Sequence, residues 1–233
     1  MPENRTLEVS VETIEAAVAA ERGGADRIEL CGNLSIGGVT PSAELMSAVH
    51  GQLGIPVFAM IRPRGGDFVY SPAEFAAMKE DIGFAKKFGM NGVVLGILDP
   101  DRHVDVIRTR QLVELALPLP TTFHRAFDES VDLHQALEDV IKTGAARILT
   151  SGGTAGAPEG MATLAEMVAA VRGRIVVVPG GRINASNIVR IAEQTRAREF
   201  HSALGTVVPY GSRDYTKFEV EVRKLRNALG PRS

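Results

Sequence analysis

The chain has 233 residues, a mass of 24.9 kDa and a formal charge of −2, from 26 Lys and Arg against 28 Asp and Glu. A pI near 6.2 lacks the cationic excess of a nucleic-acid-binding protein, one Cys excludes an internal disulfide, and no apolar run approaches a membrane span. Met1 to Arg5 carry no apolar stretch, so the expectation is a cytoplasmic globular protein without a secretory leader, its 45% hydrophobic content ample for a core.

The elements alternate along the chain. Leu7 to Val11 opens as a short β-branched run, and the Ala-rich stretch from Thr13 to Arg22 is helical. Asp26 to Cys31 and Val57 to Arg62 are the next strands. Ser71-Pro72-Ala73-Glu74 then starts a helix, with Ser as N-cap, Pro at the first position and Glu at the third. Phe75, Met78, Ile82, Ala85 and Phe88 trace its apolar face. Gly92 to Leu98, Pro120 to Arg125, Arg147 to Ser151, Arg174 to Pro179 and Arg198 to Ala203 complete eight strands. Phe218, Val222, Leu225 and Leu229 mark a final helix. Gly23-Gly24, Gly89, Gly144 and Gly173 sit just before strands, where helices need left-handed caps. Eight strand–helix units average about 29 residues, close to the minimum for a (β/α)₈ TIM barrel in one domain over residues 1–233. A doubly wound open sheet is the second choice, since no reversal point is visible.

Strand alternation then assigns directions. Leu7, Val9 and Val11 face the helices, which turns Glu8 and Ser10 inward; Glu29 and Cys31 point inward from the second strand. Phe58, Met60 and Arg62 do so from the third, Thr122 and His124 from the fifth, and Glu199 and His201 from the eighth. Any one of these charges alone reads equally well as a structural ion pair. Together they are costly to bury without a function, because each ion removed from water costs several kcal/mol unless paired.

Loops after the strands add Arg62, Arg64 and Asp67, then Arg125 and Asp128. Later come Ser151-Gly152-Gly153 and Gly180-Gly181-Arg182. Glycine pairs let backbone N–H groups approach an anion, and Arg62, Arg64 and Arg182 supply positive charge. One reading of this set is an enzyme acting on a small anionic or polyhydroxy metabolite. Glu29 and His124 are its candidate acid and base, His201 a second proton carrier, and Asp128 an orienting group for Arg125 or a substrate hydroxyl. Arg62, Arg64, Asp67, Arg125, Ser151, Gly152, Gly153, Gly180 and Gly181 are its candidate binding residues. No dinucleotide fingerprint, P-loop, HExxH or nucleophile elbow is present, so no nucleotide cofactor is indicated and proton abstraction, isomerisation or retro-aldol chemistry fits better than hydride transfer.

Five segments, in order, carry a family resemblance. They are Gly24-Ala-Asp-Arg-Ile-Glu-Leu-Cys31, Gly37-Gly-Val-Thr-Pro-Ser42, Ile61-Arg-Pro-Arg-Gly-Gly-Asp-Phe68, Thr122-Phe-His-Arg-Ala-Phe-Asp128 and Ile148-Leu-Thr-Ser-Gly152. With His201-Ser202, the chain from about residue 7 to about 205 resembles the CutC family. The resemblance implies a (β/α)₈ barrel, a cytoplasmic location, and copper homeostasis with copper binding. Copper(I) prefers two or more soft ligands. Cys31 is the single thiol, Met60 is a candidate second ligand, and His124 or His201 could donate imidazole. Where several members carry further Cys in the first strand, this chain has Val9 and Ser10. The expected partner is thus a copper ion or a small anionic metabolite, with no nucleic acid and no membrane. An apolar outer helix face is compatible with a homo-oligomer.

Overall fold

The computed structural model describes residues 5–230; the first four residues of the expected leaderless N-terminus lie outside them. All eight expected strands form. They are β1 (Thr6–Val11), β2 (Arg27–Leu30), β3 (Val57–Met60), β4 (Gly92–Leu95), β5 (Thr121–Phe123), β6 (Arg147–Thr150), β7 (Val176–Pro179) and β8 (Glu199–Ser202). Most are shorter than the apolar runs suggested, and Cys31, Arg62 and His124 lie just past the strand ends, where the loops of the mouth begin.

Eight helices alternate with them: α1 (Ile14–Gly23), α2 (Ala43–Val49), α3 (Pro72–Lys87), α4 (Val106–Ala116), α5 (Leu133–Thr143), α6 (Met161–Val171), α7 (Ile188–Thr195) and α8 (Tyr215–Leu229). Local chemistry sets their ends. The Ser71 hydroxyl accepts from Glu74 N–H while Glu74 reaches back to the Ser71 N–H, a complete capping box. Asp132 caps α5 by accepting from two backbone N–H groups, and Gly144 closes it at φ 84°. At α6 two successive left-handed residues end the helix, Arg172 as its cap and the expected Gly173 at φ 79°.

The strands are all parallel, in the order β7-β6-β5-β4-β3-β2-β1-β8. This is a nearly closed eight-stranded barrel wrapped by helices, with β7 and β8 facing each other without a ladder between them. The open sheet with a strand-order reversal is thereby excluded. Leu7, Val9, Val11, Ile28, Leu30, Ala59 and Ile61 are buried between sheet and helices, as alternation requires. Met78, Ile82 and Ala85 bury the α3 face, and Phe218, Val222, Leu225 and Leu229 that of α8. Burying a Leu, Ile, Val or Phe side chain contributes about 1.5–3 kcal/mol each, so this layer carries most of the drive to fold. A second, smaller apolar set lies inside the barrel: Cys31, Phe58, Met60 and Val94, with Leu34 against it. Among the described residues, no helix is long and apolar enough to cross a membrane.

Candidate functional site

The barrel axis is polar at both ends of its interior. At the strand N-termini, Arg27 donates through Nε to Glu8 and through its terminal nitrogen to Glu199, and Arg147 Nε donates to Glu199 at 3.0 Å. Both guanidiniums also lie over the Phe58 ring, 4.9 and 5.2 Å from its centroid. Phe58 in turn fills the space over Gly92, where a Cβ would come within 2.6 Å of the ring. Sequence reasoning placed Glu8 and Glu199 inside but missed Arg27 and Arg147. Arg27 shares the parity of Glu29, so the same alternation could have found it.

One step higher, Glu8 Oε1 meets His201 Nδ1 at 2.7 Å, and His201 Nε2 lies 3.7 Å from Glu29 Oε2. The ladder causes this: Glu8 sits opposite His201 on β8, and Ser10 opposite Glu29 on β2. The Cys31 thiol donates to the same Glu29 oxygen at 3.5 Å, while Glu29 Oε1 is buried with no partner. Burial alone pushes Glu8 upward, but the Arg27 charge and the His201 hydrogen bond hold it at about 2, a carboxylate at every ordinary pH. Burial raises Glu29, since no guanidinium is bonded to it. Burial disfavours a charged His201, yet Glu29 and Glu8 on either side outweigh that and raise it. Burial, then the Glu29 charge, raises Cys31 well above a free thiol, so it is a protonated thiol at neutral pH.

His124 stands in a different environment. Its Nδ1 accepts from the Ala126 N–H at 3.2 Å, and Gly96 leaves room for the ring, since a Cβ there would fall 2.5 Å from Nδ1. The remaining nitrogen, Nε2, therefore carries the proton, and it is buried without a partner. Burial, then the nearby Arg62, lowers this imidazole to about 3. The structure presents His124 as a neutral N–H donor, and the carboxyl beside an imidazole is Glu29 beside His201.

These groups open onto a cavity of about 410 Å³ at the C-terminal mouth of the barrel. That size lies within the usual range for small-molecule sites, about 300–1,000 Å³. Of the residues singled out from sequence, Ser10, Glu29, His124, His201, Arg62, Arg125, Gly181, Arg182 and Met60 line it. Cys31 sits behind the wall, fully buried. Arg64 and Asp67 do not reach the cavity: they pair with each other, and Arg64 also pairs with Glu74. Arg62 lines the cavity, but its terminal nitrogens donate to the carbonyls of Ile36, Gly38 and Gly66, which ties the β2 and β3 loops together. Its Nε is buried and unpartnered.

The Ser151-Gly152-Gly153 turn is also otherwise engaged. Asp128 accepts from the Ser151 and Gly153 N–H groups at 3.0 Å, from the Thr150 and Ser151 hydroxyls, and from Arg125 Nε at 2.8 Å. An internal carboxylate therefore occupies the donors expected to meet a substrate anion. Gly152 and Gly180 lie outside the lining, Gly180 packed against Leu149. Phe68, Leu204 and Tyr210, which carry no periodic signal in the sequence, complete the wall.

Ligand atoms of Glu8, Glu29 and His201 lie within 4.8 Å of one another, the spacing that could hold a metal ion. Carboxylate and imidazole oxygen and nitrogen donors suit harder divalent ions better than copper(I). Both Glu8 oxygens are already engaged, one by Arg27 and one by His201. The soft donors are Cys31, as a thiol, and Met60 beside it.

A (β/α)₈ barrel with a small-molecule cavity and buried acid–base groups at its C-terminal mouth defines the class. Within that class, the family model of the CutC family matches residues 5–206, and the chain belongs to this family. It is 44% identical to the family protein CutC of Chromobacterium violaceum, covering 97% of this chain and 98% of that one. The human copper homeostasis protein cutC homolog is 50% identical over 195 residues, covering 84% of this chain and 71% of the relative. The crystal structure of a CutC protein from Streptococcus agalactiae superposes with a TM-score of 0.81 at 32% identity, covering 85% of this chain and 98% of that chain.

Proposed function

We propose that the cavity binds a small anionic or polyhydroxy metabolite and exchanges a proton with it through Glu29. The observation that carries this reading is the Glu29 carboxyl itself. It is buried, raised in pKa, unpartnered at Oε1, and 3.7 Å from an imidazole on a 410 Å³ cavity. A purely structural carboxylate in such a place would normally be hydrogen-bonded at both oxygens. A carboxyl whose pKa is raised by burial is suited to give and take a proton there. Glu8 positions His201 by holding Nδ1, which leaves Nε2 turned toward Glu29. The imidazole stabilises the ionised form of Glu29, and the His124 N–H is a donor for negative charge developing on substrate oxygen.

Solvent-deuterium exchange into a panel of hydroxy, keto and polyol metabolites, followed by NMR, tests this. Glu29→Gln should lower any exchange by about 10²–10⁴-fold. Exchange that survives the substitution unchanged overturns the assignment.

A second reading is supported by the human relative, a copper homeostasis protein cutC homolog, and by Cys31 packed with Met60. In it, copper(I) binds the Cys31 sulfur and the Met60 thioether, and Glu29 Oε2 takes the thiol proton. Competition for copper(I) against a chelator tests this: Cys31→Ala binding as tightly as the parent chain would overturn it.

A further inference from the structure

We propose that the loops after β7 and β8 hold the phosphate of a phosphomonoester; the assignment rests on the small-metabolite reading of the same cavity and names its substrate class. Gly181, Arg182 and Ile183 follow β7, and Gly205 and Thr206 follow β8. All five line the cavity, and their N–H groups have no hydrogen-bond acceptor among the described residues. The two loops face each other across the one seam of the barrel that carries no ladder. Ile183 is 1% exposed, so its N–H is a buried donor left over. Buried backbone donors are nearly always paired, and an unpaired one beside a cavity points to a ligand.

Two guanidiniums stand on the same rim. Arg125 is held by Asp128 at 2.8 Å and by the Ser151 hydroxyl at 3.0 Å. Gly181 lets the chain pass close to it, since a Cβ there would lie 3.3 Å from an Arg125 terminal nitrogen. The stem of Arg182 packs over Gly156, where a Cβ would come within 2.9 Å, so its direction is set while its head stays half exposed. Its ionic partner is Glu159 at 3.6 Å, likewise half exposed, and solvent screens that attraction.

The contrast with the β6 turn is chemical. There Asp128 satisfies the backbone donors; among the described residues no side chain accepts from the five N–H groups after β7 and β8. Five N–H donors with two guanidiniums exceed what the two oxygens of a carboxylate can accept. They match three phosphate oxygens and a charge approaching −2.

Calorimetric titration of the full chain at fixed ionic strength with inorganic phosphate, glycerol 3-phosphate and glycerate tests the assignment. Glycerol 3-phosphate should bind at least about 10-fold tighter than glycerate and be displaced by inorganic phosphate. Arg182→Ala should weaken both phosphate ligands by about 10-fold and leave glycerate unchanged. Equal affinity for glycerate, or phosphate affinity untouched by Arg182→Ala, overturns it. Arg182→Lys, which keeps the charge without the planar fork, should recover only part of the loss.

The two proposals fail separately. Phosphate binding that depends on Arg182, with no Glu29-dependent exchange on any phosphorylated compound, upholds this assignment and overturns the acid–base reading. Glu29-dependent exchange on a carboxylate, with no phosphate affinity, does the reverse.

Discussion

Glu8, Arg27, Arg147 and Glu199 near the strand N-termini and Glu29, His201, His124 and Arg62 near the mouth are both polar sets inside one barrel. The lower set matches two carboxylates with two guanidiniums at hydrogen-bond distance and leaves one nitrogen, Arg147 Nη1, buried without a partner but away from the cavity. The upper set leaves a carboxyl oxygen, an imidazole N–H and a guanidinium N–H without partners, all beside a cavity. Burial of charge is common to both, so burial alone does not distinguish structure from function. Unfilled hydrogen-bonding capacity next to open space does.

The sharpest way to break this contrast is Arg27→Met. Removing one partner leaves Glu8 and Glu199 in the interior with less compensation, so unfolding in denaturant should show a loss of about 3–5 kcal/mol. A variant as stable as the parent would show that the lower set is not a closed ionic unit.

The next effect comes from the mouth and concerns pH. Native His124 stays neutral down to about 3, whereas in the unfolded chain it gains a proton near 6.5. Stability should therefore fall as pH drops from 6.5 toward 3, by a few kcal/mol in all. His124→Asn should flatten that part of the profile. Glu8 adds its own loss lower down: its folded pKa is depressed, so its contribution is present above 4.5 and disappears as pH falls through about 2. His201 has the opposite sign. Its raised pKa contributes stability below 6.5 that is lost as pH rises through the folded value.

Glu8→Gln probes the link between the two sets. It removes one of the two carboxylates flanking His201 but keeps a side chain able to hydrogen-bond, so the His201 pKa read by NMR should drop by about one unit, or about 1.4 kcal/mol. An unmoved titration would mean that Glu8 does not position this imidazole. The smallest effect is expected from Arg64→Ala. Its ion pairs are partly exposed and it does not line the cavity, so stability should change by about 0–1 kcal/mol with ligand affinity in the cavity unchanged.

Much of this was legible along the chain. Period-two runs gave eight strands, and parity turned Glu8, Glu29, His124, Glu199 and His201 inward, because a pleated strand allows only two directions. The capping chemistry at Ser71 and the glycine at 144 fixed helix ends locally. The partner of each inward charge was not legible. Whether Glu29 meets His124 or His201 depends on which strands flank β2 and at what register. Arg62 and Arg64 read alike as anion ligands, yet one closes on loop carbonyls and the other on neighbouring carboxylates.

The two glycine pairs show the same limit. Ser151-Gly152-Gly153 and Gly180-Gly181-Arg182 are similar phrases after adjacent strands, but Asp128 reaches the first and nothing comparable reaches the second. The barrel, the inward parity and the family to which the chain belongs are written along the chain, because these rest on short-range periodicity and motif order. Tertiary structure alone decided which buried groups are neutralised and which remain open to a ligand. Hydrogen-bond satisfaction is a property of atoms brought together from strands as far apart as residues 8 and 201, and no local pattern encodes that distance.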